Sequence, residues 1–75
     1  MASKEWLVHI TTKDWVPGDR HLGYEEVIAE TEIGARHIAA SQFATRIQYE
    51  PIIRRKFEAR KLTHGDWCAP EAIEI

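Results

Sequence analysis

Between Thr31 and Pro51 the chain carries one helical stripe, and that stripe decides most of what the rest can do. Ala35, Ile38, Ala39, Phe43 and Ile47 recur at three- and four-residue spacing, which places them on one side of a helix. Thr31 stands where a cap is needed, because its hydroxyl can accept from a free backbone N–H of the first turn. Glu32 follows at the positive end of the helix dipole. Gly34 is a poor helix former and costs about 1 kcal/mol relative to alanine. Arg36, His37, Gln42 and Arg46 lie off the stripe. Ala35 and Ala39 are small, so the helix can lie close on a sheet. Pro51 reads as the stop, and Glu50 before it is biased toward extended backbone.

The flanking segments have the shorter period of strands. Glu5 to Thr12 is rich in aromatic and β-branched residues. Trp6, Val8 and Ile10 share one face and are the core candidates; Leu7, His9 and Thr11 share the other. Pro17-Gly18-Asp19 marks a turn inside a long connection that also carries Trp15. Tyr24 to Ala29 reads as a second, antiparallel strand. Its faces are ambiguous: Glu25, Val27 and Ala29 fall on one, Tyr24, Glu26 and Ile28 on the other. Tyr24 and Trp6 are expected in the core.

After the helix, Ile52 to Leu62 reads as a third strand, with Ile53, Phe57 and Ala59 on one face and Arg54, Lys56, Glu58 and Arg60 on the other. Thr63-His64-Gly65-Asp66 reads as a turn, and Trp67-Cys68 as the start of a short fourth strand that Pro70 interrupts. The tail from Glu71 either frays or folds Ile73 and Ile75 back. The expected fold is α+β, one helix packed on a small antiparallel sheet in the order β-β-α-β-β. It forms a single domain over residues 1–75, with fraying expected at 1–4 and 71–75. One face of such a sheet is left bare, which makes a natural binding surface.

Seventy-five residues suffice for one domain, and a chain this short can build few cleft walls. Hydrophobic residues make up 44% and charged residues 29%, which excludes disorder for the body of the chain. The formal net charge of −2 excludes neither acidic nor basic partners. Cys68 is the single cysteine, so no internal disulfide forms and a reducing compartment, the cytoplasm, is expected. No apolar run is long enough for a membrane span, and Met1 to Trp6 lacks the apolar core of a secretory signal.

The sequence offers no catalytic framework. It has no phosphate-cradling glycine loop, GxSxG, HExxH or CxxC. His64 and Cys68 are the one pair at suggestive spacing, but structural zinc needs four ligands and a nucleophile–base pair needs a third, orienting group. No metal, cofactor or catalytic residue is therefore expected. Cys68 beside Trp67 reads as a half-buried apolar residue.

The strongest local signal is Arg54-Arg55-Lys56-Phe57-Glu58-Ala59-Arg60-Lys61, with five basic residues in eight. One reading is a solvated edge strand, blunted by charge against aggregation. The other is a partner-contact strip, since arginine pairs carboxylate or phosphate bidentately. Glu25, Glu26, Glu30 and Glu32 would cancel some of this charge if the strands were neighbours. Trp15, Tyr49 and Trp67 are candidates for stacking on bases, although core anchoring is the commoner use of tryptophan in a fold this small. The expected partner-binding set is Arg54, Arg55, Lys56, Arg60, Lys61 and Trp15.

Ala29-Glu30-Thr31, followed by Ala35, Ile38-Ala39 and Gln42-Phe43, is similar to small phage-encoded inhibitor proteins. The stretch resembles the short podophage inhibitor of bacterial RNA polymerase, a family that places arginines on the strand after its helix. It also resembles anti-CRISPR proteins of β-β-α-β-β type. The resemblance implies inhibition by protein binding, with Arg54, Lys56 and Arg60 as the positional counterparts of the inhibitor's arginines. It further implies a bacterial host complex as partner, a CRISPR-Cas effector first and RNA polymerase second, in the cytoplasm of an infected host. Binding to nucleic acid and self-association through a free sheet edge are the alternatives.

Overall fold

The computed structural model describes residues 2–75. Five elements follow one another: β1 (Lys4–Thr12), β2 (His21–Ala29), α1 (Glu32–Tyr49), α2 (Pro51–Ala59) and β3 (Trp67–Glu74), with a single 3-10 turn at His64–Asp66 before β3. The strands form one antiparallel sheet in the order β2-β1-β3. The α+β class and the antiparallel sheet agree with the sequence reading, but the order is β-β-α-α-β rather than β-β-α-β-β.

The expected third strand is a helix. Pro51 stops α1, but it also occupies the first position of α2, where its missing N–H costs nothing and its fixed φ suits a helix. Glu50 is extended (φ −100°, ψ 111°) and serves as the C-cap of one helix and the N-cap of the next. Ile53 and Phe57, four apart, face inward, and Phe57 is buried. The β alternation read into Ile53, Phe57 and Ala59 was a helical i, i+4 pair plus an exposed alanine. The helix ends in a Schellman motif: the Leu62 amide donates to Phe57 O (3.0 Å) and the Lys61 amide to Glu58 O (3.1 Å). Lys61 therefore takes the left-handed position, φ 56°, which glycine usually fills.

The core lies between the sheet and α1. Trp6, Val8 and Ile10 face it from β1, as expected, and Val27 and Ala29 from β2. Ala35, Ala39 and Phe43 of α1 press down on them. The Thr31 cap forms, its hydroxyl accepting from the Gly34 amide at 3.1 Å. Phe43, Phe57 and Trp67 close one end of the core, with Phe43–Trp67 and Phe57–Trp67 in edge-to-face contact at 5.2 and 6.5 Å. Thr12, fully buried, is the Cα partner of Trp67, and its hydroxyl and the Trp67 indole N–H both lack a partner among the described residues.

Two irregularities shape the sheet. Between Ile10–Gly23 and Thr11–His21 the register shifts, leaving Leu22 as an extra residue on β2. Leu22 packs against the core, and His21 turns to the opposite face. Between His9–Glu71 and Thr11–Cys68, Ala69 and Pro70 stand opposite Ile10 alone. Pro70, which has no N–H to give a ladder, is exposed at this bulge. It kinks β3 without ending it. The C-terminal segment pairs as far as Ile75, whose amide donates to Glu5 O at 2.9 Å, with the Ile73 and Ile75 side chains exposed.

Both helices pack on the same face of the sheet. On the other face Leu7 and His9 are half-buried, while Tyr24, Ile28, Glu71 and Ile73 are exposed. Tyr24 was expected in the core, yet it is 54% exposed, because β2 turns Glu25, Val27 and Ala29 inward instead.

Candidate functional site

Of the predicted cations, Arg54, Arg55 and Lys56 lie on helix α2 rather than on a strand, with Arg60 as its C-cap and Lys61 just beyond. Residues 52, 55, 56 and 59 follow the i, i+3, i+4, i+7 pattern of a single helical face, and Ile52, Arg55, Lys56 and Ala59 are all exposed. Ile52 is 69% exposed and Tyr49, just before the helix break, 71%. The solvent face of α2 thus joins two cations to a large aliphatic side chain, beside an aromatic one at the helix junction. The basic charge was legible in the sequence. Ile52 as part of this face was not, because a strand reading separates it from Arg55.

The five cations have different local roles. Arg54 donates to Gln48 O at 3.2 Å, satisfying one of the carbonyls left open at the end of α1. Arg60 donates to Pro17 O at 3.1 Å, which ties the β1–β2 connection to the end of α2. Arg60 and Lys61 also sit at the negative end of the helix dipole. Arg55 and Lys56 make no side-chain bond to the rest of the protein among the described residues. None of the five pairs with a carboxylate there, whereas Lys4, Arg20 and Arg46 all do.

Trp15 lies in the same connection that Arg60 holds, 68% exposed. Its indole N–H points to Asp66 Oδ1 at 3.4 Å, and the Lys13 ammonium lies 5.3 Å from its ring centroid. Asp66 is itself held by the Thr63 amide (2.8 Å) and hydroxyl (3.0 Å). These donors stabilise the ionised form and keep the Asp66 carboxyl below its usual range, with the Thr63 backbone bond contributing most. Trp15 is an exposed side chain braced at the end of the molecule where α2 terminates.

The acidic residues mostly lie elsewhere. Glu25 is buried on β2 beneath α1, where Gln42 Nε2 (2.7 Å) and the Arg46 guanidinium hold it. Arg46 also bonds Glu50, and these two carboxylates push its pKa up. Glu25 thus cancels Arg46 and leaves the α2 cations untouched.

A groove of about 620 Å³ runs between α1 and α2, with Ala44, Ile47, Arg54, Phe57, Leu62 and Trp67 among its walls. His64 lines it, while Cys68 lines a different hollow beside His37 and Ala69. The sequence pair His64–Cys68 therefore does not converge on one opening.

No family model, curated protein or solved structure matches the chain. No helix among the described residues is long and apolar enough to cross a membrane.

Proposed function

We propose that the chain acts by stoichiometric binding to a protein partner and blocks it by occlusion, with the exposed face of α2 as the docking surface. The observation that carries this reading is the stripe Ile52, Arg55, Lys56 and Ala59, whose cations have no carboxylate partner among the described residues. Charged side chains left unpaired beside a large exposed aliphatic suit a partner that supplies acidic groups around an apolar contact. In such interfaces arginine and aromatic residues concentrate the binding energy. Trp15 and Tyr49 are the aromatic anchors of the proposal.

The proposed target is a bacterial nucleic-acid-handling machine, a CRISPR-Cas interference complex first and RNA polymerase second. Cations arranged to meet carboxylates fit an acidic region of either. The choice of targets rests on the resemblance of Ala29–Phe43 to phage inhibitors. The positional match of Arg54, Lys56 and Arg60 to strand-borne arginines no longer supports it, since these residues occupy α2 and its C-cap. The departure from β-β-α-β-β order likewise removes the fold-level support for the anti-CRISPR comparison.

Titration of purified interference complex and of purified RNA polymerase tests the reading. One of the two is expected to lose activity at one inhibitor per complex, and Arg54→Ala/Arg55→Ala/Lys56→Ala is expected to restore it. If both keep full activity, the two targets are wrong. Direct binding to free nucleic acid that falls steeply with salt would replace the inhibitor reading with a nucleic-acid module.

A further inference from the structure

On the uncovered face of the sheet, two histidines that are far apart in the chain meet. His9 stands on the central strand, half-buried, and His21 begins β2, exposed. The Leu22 bulge brings them together, because without the extra residue His21 would face the core with Gly23. His9 Nε2 and His21 Nδ1 lie 2.8 Å apart, so one ring now donates an N–H to the other. Tyr24, the Cα partner of His9, stacks on its ring at 4.8 Å and 21° and lies 5.2 Å from the His21 ring. The Asp19 carboxylate accepts from the His21 amide at 3.0 Å and fixes the strand start. Both rings are thus held from behind, while the nitrogens that face each other lie on the open side of the sheet.

Two imidazole nitrogens this close can serve as two ligands of one ion. With metal–nitrogen bonds of about 2.0–2.1 Å, ligands at right angles stand about 2.9 Å apart, and tetrahedral ligands about 3.4 Å apart. The observed separation is that of a hydrogen bond, and it leaves the two nitrogens close enough to take adjacent, right-angled positions on one ion, the tetragonal geometry of Cu(II) and Ni(II) with nitrogen and oxygen ligands. We propose that His9 and His21 form a bidentate imidazole site for a divalent ion of the Cu(II) and Ni(II) class. The ion takes the lone pairs of His9 Nε2 and His21 Nδ1 once the hydrogen bond opens and each ring turns its lone pair off the N···N line. The proton on the donating nitrogen moves to the outer nitrogen of its own ring, which leaves both facing nitrogens free to bind.

Glu71 is the Cα partner of His9 on the side away from Tyr24. Its negative charge favours a cation on this face. Among the described residues no three His, Cys, Asp or Glu side chains converge on one point, so the remaining positions on the ion belong to water. The site lies on the sheet face opposite the helices and is independent of the docking proposed for α2.

The test is calorimetric titration of the untagged chain with Cu(II), Ni(II) and Zn(II), with electron paramagnetic resonance of the copper complex. One copper per chain is expected, with two equatorial imidazole nitrogens and affinity in the order Cu(II), Ni(II), Zn(II). His9→Ala and His21→Ala should each weaken binding at least tenfold, while His37→Ala/His64→Ala leaves it unchanged. His9→Gln and His21→Gln, closer in size, replace any alanine variant that loses its circular dichroism. Copper bound as tightly without His9 or His21, lost equally with His37 and His64, or carrying a single nitrogen ligand would overturn the site.

Discussion

Arg46 on α1 holds the carboxylate of Glu25, which β2 buries beneath the helix. The pair links helix to sheet at a point where a lone carboxylate would be costly. Arg46→Met keeps the stem and removes the charge, leaving Glu25 with only Gln42. With Arg46 itself partly solvated, the expected loss is about 2 kcal/mol, measured as a lower urea midpoint at unchanged slope. Adding Glu25→Gln removes the stranded charge and should recover much of that loss, which gives the pair a coupling energy readable in a double-mutant cycle.

Thr12 presents the opposite case, a fully buried hydroxyl with no partner. Thr12→Val keeps the shape and removes the unpaired group. Stability should rise by about 1 kcal/mol, seen as a higher melting temperature. A loss instead would mean that the hydroxyl is bonded in solution.

Lys61 sits at φ 56°, in the position that ends α2 and that glycine would fill without strain. Lys61→Gly is expected to stabilise the fold by about 1 kcal/mol. The same change removes a cation from the end of the proposed docking helix, so partner affinity should fall while stability rises. Denaturation and binding measured on one preparation separate the two effects.

Much of this fold is legible in the sequence, and where it fails the causes are local. The inward set Trp6, Val8 and Ile10 and the buried Ala35, Ala39 and Phe43 of the helical stripe follow from periodicity, whereas Ile38 of that stripe is 44% exposed; the cap at Thr31 follows from its hydroxyl at the helix start. Pro51 misleads because a proline that stops one helix is equally suited to start the next, and the short run Ile53–Phe57 fits either period. The charges of α2 are visible in the sequence, but their arrangement on one face beside Ile52 needs the helix. His9, His21 and Tyr24 stay hidden for another reason. The Leu22 bulge breaks the alternation from which strand faces are read, so no spacing rule brings His21 beside His9.

Asp66 ties the turn before β3 to Trp15. Its carboxyl titrates below the ordinary range because Thr63 and Trp15 bond its ionised form. A depressed folded-state pKa adds stability above the unfolded value, and that contribution is lost as pH falls through the folded one. Acidification below about pH 4 should therefore shift the Thr63 amide and Trp15 indole N–H resonances together. Asp66→Asn should abolish that titration of the Thr63 amide.

The central claim is that the cations on α2 dock on a protein. Capture from nuclease-treated bacterial lysate, comparing wild type with Arg54→Ala/Arg55→Ala/Lys56→Ala, tests it most directly. The account predicts a partner that survives nuclease, binds one-to-one when purified, and is lost in the triple variant while circular dichroism stays unchanged. A partner retained by the triple variant, or recovered only with nucleic acid, would contradict it.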